Sequence, residues 1–455
     1  MNLYSLLEAR TAKSGPIRIG VIGAGKFASM FLTQAPQVPG LHVVGVADLD
    51  VERARTALHR CGWPAERYAA RSFDEALRSG GTHLTDDAEA LIAVPGLEVI
   101  VEVTGNPIAG SYHAEKAIDA GRHVVMVNVE ADCMVGPVLA EKARRNGVVY
   151  SMAYGDQPAL INELVDWCRT VGFDIVAAGK GTKYLPEYNQ STPDTVWNFY
   201  GFTEEQLATG DFNPKMFNSF LDGTKSAIEM AAVANATGLR PQDEGLLFPP
   251  VDVDDLATTL RPKALGGTLT RSGTVEVISS LNRDGGPLNR DLRWGVYVTF
   301  EARTDYAVQC FAEYGMRTDP TGRFGSLYRP YHMIGLELGV SVASAVLRNE
   351  ATGVAKDFHG DVTTVTKRAL KAGEILDGEG GYMAFGKLAP AATALAARAL
   401  PMGLAHGVKV VRDVPAGATL TYDDVAVDES LVAVRLRREL ESATAAEQTA
   451  MSSAR

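Results

Sequence analysis

Disulfide scaffolding, cysteine-based zinc binding and membrane insertion all lack their raw material in this chain. Its 455 residues include only four cysteines, Cys61, Cys133, Cys168 and Cys310. Their scattered positions, without C-x-x-C spacing, argue against a disulfide framework or structural zinc and fit a reducing cytosol. No apolar run reaches the roughly 20 residues that span a bilayer. The opening MNLYSLLEARTAKSG has no signal-peptide core and is expected as a short arm or helix. Positive charge is also scarce, with 44 Lys plus Arg against 55 Asp plus Glu and a formal charge of −11. Nucleic acid and membrane are therefore not expected partners, and a cytoplasmic location is expected. An anionic small molecule would need a local basic pocket.

What is present is a chain long enough for two or three domains with substantial cores. It is organised around Ile17–Met30, IRIGVIGAGKFASM. Ile17, Ile19, Val21 and Ile22 form a short apolar run suited to a strand covered on both faces. Gly23-Ala24-Gly25-Lys26-Phe27-Ala28 then fits G-x-G-x-x-A. Gly23 allows the turn, Gly25 lets a pyrophosphate approach the backbone, and Ala28 lets the helix pack on the strand. The helix N-terminus, at Lys26 and Phe27, offers free N–H donors to that pyrophosphate. A second strand, Leu41–Ala47, ends in Asp48, about twenty residues past the glycine turn, where a carboxylate can bond ribose hydroxyls. The pattern predicts dinucleotide binding. Asp48 favours NAD and Arg53, a helical turn on, favours the 2′-phosphate of NADP, so both cofactors stay open.

Helix and strand then alternate: helix Val51–Arg60, strand Glu98–Val103, helix Ser111–Ala120, strand His123–Val127, helix Pro137–Arg145, strand Val148–Met152. This alternation specifies an α/β fold with a doubly wound parallel sheet. Thr104 and Gly105 fall at the carboxyl edge of that sheet, a cofactor edge. Asn128, Glu130 and Asp132 follow a buried strand and are expected to face the nicotinamide crevice, with a helix cap as the alternative for Asp132. From Asp174 the rhythm changes. Strand Ile175–Ala178 leads into GKGTKYLPEY, where glycines are expected to bring backbone near a ligand and Lys180 and Lys183 to hold an anion or polarise a carbonyl.

Asn213-Pro214 predicts the start of one long helix reaching Gly238. Asn218, Asp222, Lys225 and Glu229 would share one face of it as a buried stripe, in which Lys225 polarises an oxygen and the carboxylates hold it charged or bind a divalent ion. Strand-like runs Thr274–Ser280 and Trp294–Phe300 predict the sheet of a second domain. Arg329 could clamp an anion, and His332 reads best as a structural histidine. Near the C-terminus, Leu370–Leu376 and Val414–Leu420 repeat the pattern apolar-x-Ala-Gly-x-x-Leu, each a strand–turn–strand unit. The final ESATAAEQTAMSSAR is polar and small and is expected to be disordered.

The paired Ala-Gly units, with GGYMAFGKL and LPMGLAHGVKVVRDV between them, resemble a SAF (β-clip) domain. Together with IGAGKFASMF, VNVEAD, YGDQPAL, GKGTKYLPEY, FNSFLDGTKSAIEM and LYRPYH, they make nearly the whole chain resemble the homoserine-dehydrogenase-like oxidoreductases with a C-terminal SAF domain. One branch of that group is the DXR-like reductoisomerases (DRL type). The resemblance implies a Rossmann domain, an α+β substrate and dimerisation domain, and a small β-clip domain. Expected limits are 1–158, 159–353 and 354–440, with a tail at 441–455. It implies a homo-oligomer, dimer or tetramer, and an NAD(P)-dependent oxidoreductase acting on a CH-OH group.

Val129 stands where homoserine dehydrogenases carry a lysine, which speaks against homoserine oxidation. The expected activity is hydride transfer to or from a small polyhydroxylated, phosphorylated substrate, with a reductoisomerase acting on 1-deoxy-D-xylulose 5-phosphate as one form. The alternatives are a sugar-acid or polyol dehydrogenase and a cofactor-bound sensor or assembly protein. Lys180, Lys183, Asp222, Lys225, Glu229 and Glu130 are the catalytic candidates. Magnesium or manganese would serve a rearranging enzyme, but no ligand spacing identifies such a site.

Overall fold

The computed structural model of the protein describes residues 2–209 and 212–453. The chain divides into two compact units, residues 1–160 with 332–356 and 435–443, and residues 161–331 with 357–434 and 444–455.

The first unit is built on a six-stranded parallel sheet of order β3-β2-β1-β4-β5-β6, with β1 Ile17–Ile22, β2 Leu41–Ala47, β3 His83–Thr85, β4 Val99–Glu102, β5 His123–Met126 and β6 Tyr150–Met152. Ile17, Ile19, Val21 and Ile22 of β1 are all buried, as strands covered on both faces must be. The chain order reverses between β1 and β4, the switch point at which doubly wound sheets bind ligands. Helix Val129–Arg145 begins eight residues before the expected proline start, because Asn128 caps it by accepting the Ala131 N–H. Pro137 lies inside that helix.

Residues 332–353, expected in the second domain, pack in the first unit. Their helix Gly339–Arg348 carries Ser341, whose Oγ accepts the Tyr154 N–H at 2.8 Å.

The second unit holds a four-stranded mixed sheet of order β10-β9-β7-β8, with β7 Asp174–Thr182, β8 Thr274–Ser279, β9 Val296–Glu301 and β10 Phe324–Arg329. Beyond it lie the two-stranded β11 Gly360–Thr366 and β13 Ala384–Pro390, and the three-stranded set β12 Ile375–Asp377, β14 His406–Val410 and β15 Val425–Ala426. The two Ala-Gly copies pair with each other, Leu370 and Val414 exchanging backbone hydrogen bonds. Gly373 and Gly417 turn the chain at φ +96° and +76°.

These C-terminal strands do not stand apart from the four-stranded sheet: residues 357–434 belong to the same compact unit as 161–331. The Asn235 amide on helix Thr224–Thr237 both donates to Gly360 O and accepts from Gly360 N, sewing β11 to that helix. The tail expected to be disordered forms helix Val432–Ser453; Ala454 and Arg455 lie outside the described residues. Alanine and glutamate are strong helix formers, and the helix is anchored by buried Arg437, which donates to Glu441 one turn on.

Candidate functional site

At the cofactor edge of the first unit, Gly23 has φ +107°, and a side chain there would meet Val103 O at 2.8 Å. Only glycine fits this turn. Gly25, the residue before helix Lys26–Gln34, has open space where a Cβ would sit, so a pyrophosphate can approach the backbone N–H groups. Lys26 opens the helix, and Phe27 packs on the core beneath it.

Asp48 is buried at the end of β2, where its Oδ2 accepts the Ala24 N–H at 2.7 Å and its Oδ1 the Asp50 N–H at 2.9 Å. Arg53 bonds both oxygens, at 2.6 and 2.8 Å. The two residues that point to different cofactors are therefore each other's partners. The bond to Asp48 holds the Arg53 guanidinium above its ordinary pKa. These groups fit a dinucleotide.

Beside the turn, Thr104 donates to Glu102 Oε1 at 2.6 Å, and Gly105 takes φ +68°. Asn128 donates to Asn106 O at 2.8 Å while capping its own helix. Glu102 was not anticipated. It is fully buried at the end of β4, its Oε1 also lies 3.4 Å from His113 Nδ1, and its Oε2 has no hydrogen-bond partner among the described residues. The signal was an acid inside the apolar run EVIVEV.

Glu130 sits half-buried in the first turn of its helix. Asp132 does not face a crevice. It is buried against Tyr150, whose hydroxyl donates to Oδ1 at 2.9 Å, and burial pushes its pKa up to about 6.

In the second unit, Lys180 on β7 is buried and paired with the Glu229 carboxylate of helix Thr224–Thr237. The glycines on either side serve a purpose other than admitting a ligand. A Cβ at Gly179 would lie 1.7 Å from Glu276 O, and one at Gly181 2.0 Å from Leu292 O, so neighbouring backbone fills that side. Successive strand residues point to opposite faces, which leaves Lys180 on the face of the helix.

The long helix expected over 213–238 is two helices, Pro214–Leu221 and Thr224–Thr237. Gly223 breaks it at φ +89°, and Asp222 Oδ1 accepts the Thr224 N–H at 3.0 Å across the break. The single polar stripe is thereby dissolved. Asn218 turns into the structure, bonding Ser191 O and Gly380 O at 3.1 and 3.0 Å.

The partner of Asp222 is Lys367, just past β11, whose Nζ lies 2.7 Å from Asp222 Oδ2, 2.7 Å from Ser191 O and 3.0 Å from Gly381 O. Burial raises the Asp222 pKa, and the adjoining lysine charge opposes that rise. Lys367 escaped the sequence reading because it lies 145 residues from its partner. Lys225 is half-buried in the first turn of its helix. Lys183 donates to Phe199 O, and burial and the charge of Arg293 lower its pKa.

A divalent metal does not fit these groups. Among the described residues no three His, Cys, Asp or Glu side chains converge on one point, and Asp222 and Glu229 are each engaged by a lysine. Among the same residues no helix is long and apolar enough to cross a membrane.

Comparison with known proteins assigns families to three segments. Residues 17–127 match the oxidoreductase family with an NAD-binding Rossmann fold (GFO_IDH_MocA), 155–338 the oxidoreductase DRL catalytic domain, and 364–426 the SAF domain. No curated protein matches. Among solved structures, biliverdin reductase from Synechocystis sp. PCC 6803, in complex with biliverdin and NADP+, is similar at 17% identity over 37% of this chain and 48% of that one, with a TM-score of 0.26.

Myo-inositol dehydrogenase from Lactobacillus casei, in complex with NAD(H) and myo-inositol, is similar at 16% over 40% and 50%, with a TM-score of 0.28. The 3-ketoreductase KijD10 from Actinomadura kijaniata is similar at 19% over 38% and 48%, with a TM-score of 0.25. The chain thus spans about half the length of these structures. It carries an NAD-binding Rossmann domain, a DRL-type oxidoreductase catalytic domain and a C-terminal SAF domain.

Proposed function

We propose that the protein is an NAD(P)-dependent oxidoreductase acting on a carbonyl or carbinol carbon of a small, polyhydroxylated, phosphorylated substrate. The observation that carries this reading is the buried Lys180–Glu229 pair inside the segment matching an oxidoreductase catalytic domain. A buried ion pair is a weak way to stabilise a fold, since desolvation offsets most of the attraction. Its value lies in fixing the position of the lysine amino group.

A nicotinamide, when bound, would supply or accept the hydride. The chain's own residues do the rest. Gly23, Gly25 and the first turn of helix Lys26–Gln34 hold the pyrophosphate, and Asp48 with Arg53 takes the ribose end. Lys180 donates a hydrogen bond to the substrate oxygen, so that negative charge developing there during reduction is stabilised and then protonated. Glu229 keeps the lysine oriented. In the oxidative direction the reverse step starts from the neutral amine of the same lysine, which receives the carbinol proton. No step is routed through a metal, because Asp222 and Glu229 are each engaged by a lysine and no three ligating side chains converge among the described residues. This favours simple hydride transfer to or from a sugar acid or polyol as the second reading. Assembly as a homodimer is part of the proposal.

The test follows nicotinamide absorbance with purified protein, NADPH or NADH, and 1-deoxy-D-xylulose 5-phosphate, then phosphorylated sugars, sugar acids and polyols in both directions. Turnover with a phosphorylated substrate is expected. Tight cofactor binding without turnover across the whole panel would overturn the reading in favour of a sensor or assembly protein.

A further inference from the structure

We propose that Lys183 and Arg293, set against the Tyr200 ring, form a subsite for a phosphate monoester group of the substrate. The inference rests on the oxidoreductase reading for calling that ligand the substrate. Its geometry comes from the second unit alone.

The two cations are assembled by the strand that carries Lys180. Gly181 is flanked so closely by Leu292 O that no side chain fits, and its N–H donates to Gly295 O at 3.0 Å. This clamps the loop Leu292–Gly295 onto β7 two residues from Lys183. The Lys183 ammonium then lies 6.0 Å from the Tyr200 ring centre and the Arg293 guanidinium 5.8 Å from the same centre. Arg293 also stacks on Trp294 at 4.7 Å. Lys183, Arg293 and Tyr200 are all half-buried, within reach of a small ligand.

Neither cation has a carboxylate within ion-pair distance among the described residues. Elsewhere in this unit arginines do find acids: Arg261 pairs with Asp319, Arg290 with Asp254 and Arg303 with Asp174. The acids whose charges reach this neighbourhood are Asp222, which acts on Tyr200 and Tyr184, and Glu187, which acts on Tyr184 and Tyr188; Asp222 is paired with Lys367, and neither acid bonds Lys183 or Arg293. Like charges gathered without a counterion repel: burial lowers the Lys183 pKa, and the charge of Arg293 lowers it further. An anion relieves this arrangement. Two unit cations match the dianion of a phosphate monoester better than the single charge of a carboxylate, and the guanidinium fork can take two of its oxygens.

Calorimetric titration of inorganic phosphate into the full-length protein, first saturated with oxidised cofactor so that the pyrophosphate loop is filled, tests the subsite. Saturable binding is expected, weakened about tenfold or more in Arg293→Gln and in Lys183→Gln, with cofactor affinity unchanged in both. If Arg293→Gln fails to fold, Arg293→Lys carries the test: it keeps the charge and loses the fork, and is expected to bind phosphate several-fold more weakly. No saturable binding, binding indifferent to both positions, or acetate binding as tightly as phosphate would overturn the proposal. Absent cofactor binding would instead count against the oxidoreductase reading, and phosphate titration of the cofactor-free protein would still decide the subsite.

Discussion

The two units treat their buried charges differently. In the first, polar side chains at the sheet edge are held largely by backbone and by near neighbours: Asp48 by the N–H groups of Ala24 and Asp50 and by Arg53, Asn128 by its own helix and by Asn106. In the second, Lys180 and Asp222 are held by opposite charges from distant parts of the chain, Lys180 by Glu229 and Asp222 by Lys367, while Glu276 is held by backbone N–H groups and Gln242. A site made of local bonds is a preformed cradle for a cofactor. One made of long-range ion pairs depends on the whole unit being folded, and ties the C-terminal strands to the catalytic segment.

The sharpest way to break this contrast is Lys367→Met. It leaves the Asp222 carboxylate buried without its partner, and destabilisation of about 3–5 kcal/mol is expected. Denaturant unfolding of the variant against wild type measures it, with Asp222→Asn in the same background to close a double-mutant cycle. A loss under about 1 kcal/mol would show that the C-terminal strands are not tied in through this pair.

Next in size is the pH response of Asp132, a buried acid with no cation beside it among the described residues. Asp132 is pushed from 3.8 to about 6 by burial. Between these values the unfolded state sheds its proton while the native state keeps it, so stability present below about pH 4 is lost as pH rises to 6. The loss is on the order of 3 kcal/mol and is complete above pH 6. Asp132→Asn keeps an acceptor for Tyr150 and removes the titration. Its stability relative to wild type should therefore rise by that amount between pH 4 and 7, as read from denaturation midpoints. Parallel pH curves for the two proteins would contradict the assignment.

The smallest expected effect lies at Arg53→Ala. Without its arginine, the Asp48 carboxylate is no longer neutralised and repels a 2′-phosphate, so NADPH affinity should fall about tenfold, close to 1.4 kcal/mol, with NADH affinity little changed. Paired titrations of the two cofactors measure it. An equal loss for both would mean that Arg53 acts on the fold of the loop rather than on the ribose end.

The same contrast explains what was legible in the sequence. The glycine turn, Asp48, Arg53, Asn128 and the paired Ala-Gly turns could all be placed, because each belongs to a short sequence pattern. The Lys180–Glu229 pair was foreseen only as two candidates, without their contact. Lys367 and Arg293 gave no local signal, since each acts on residues far away in sequence. Asp222 and Gly223 show the opposite error. Helical spacing alone put Asn218 through Glu229 on one face, and a left-handed glycine with an aspartate bridging it broke that helix in two. The glycines around Lys180 looked like ligand approaches and are packing sites for neighbouring backbone.

The most direct test of the account is the hydride-transfer rate of Lys180→Met against wild type, with cofactor affinity measured on the same samples. The account predicts turnover falling by about 10²–10⁴, cofactor affinity unchanged, and Glu229→Gln showing a smaller loss in the same direction. Turnover in Lys180→Met within a few-fold of wild type would contradict it.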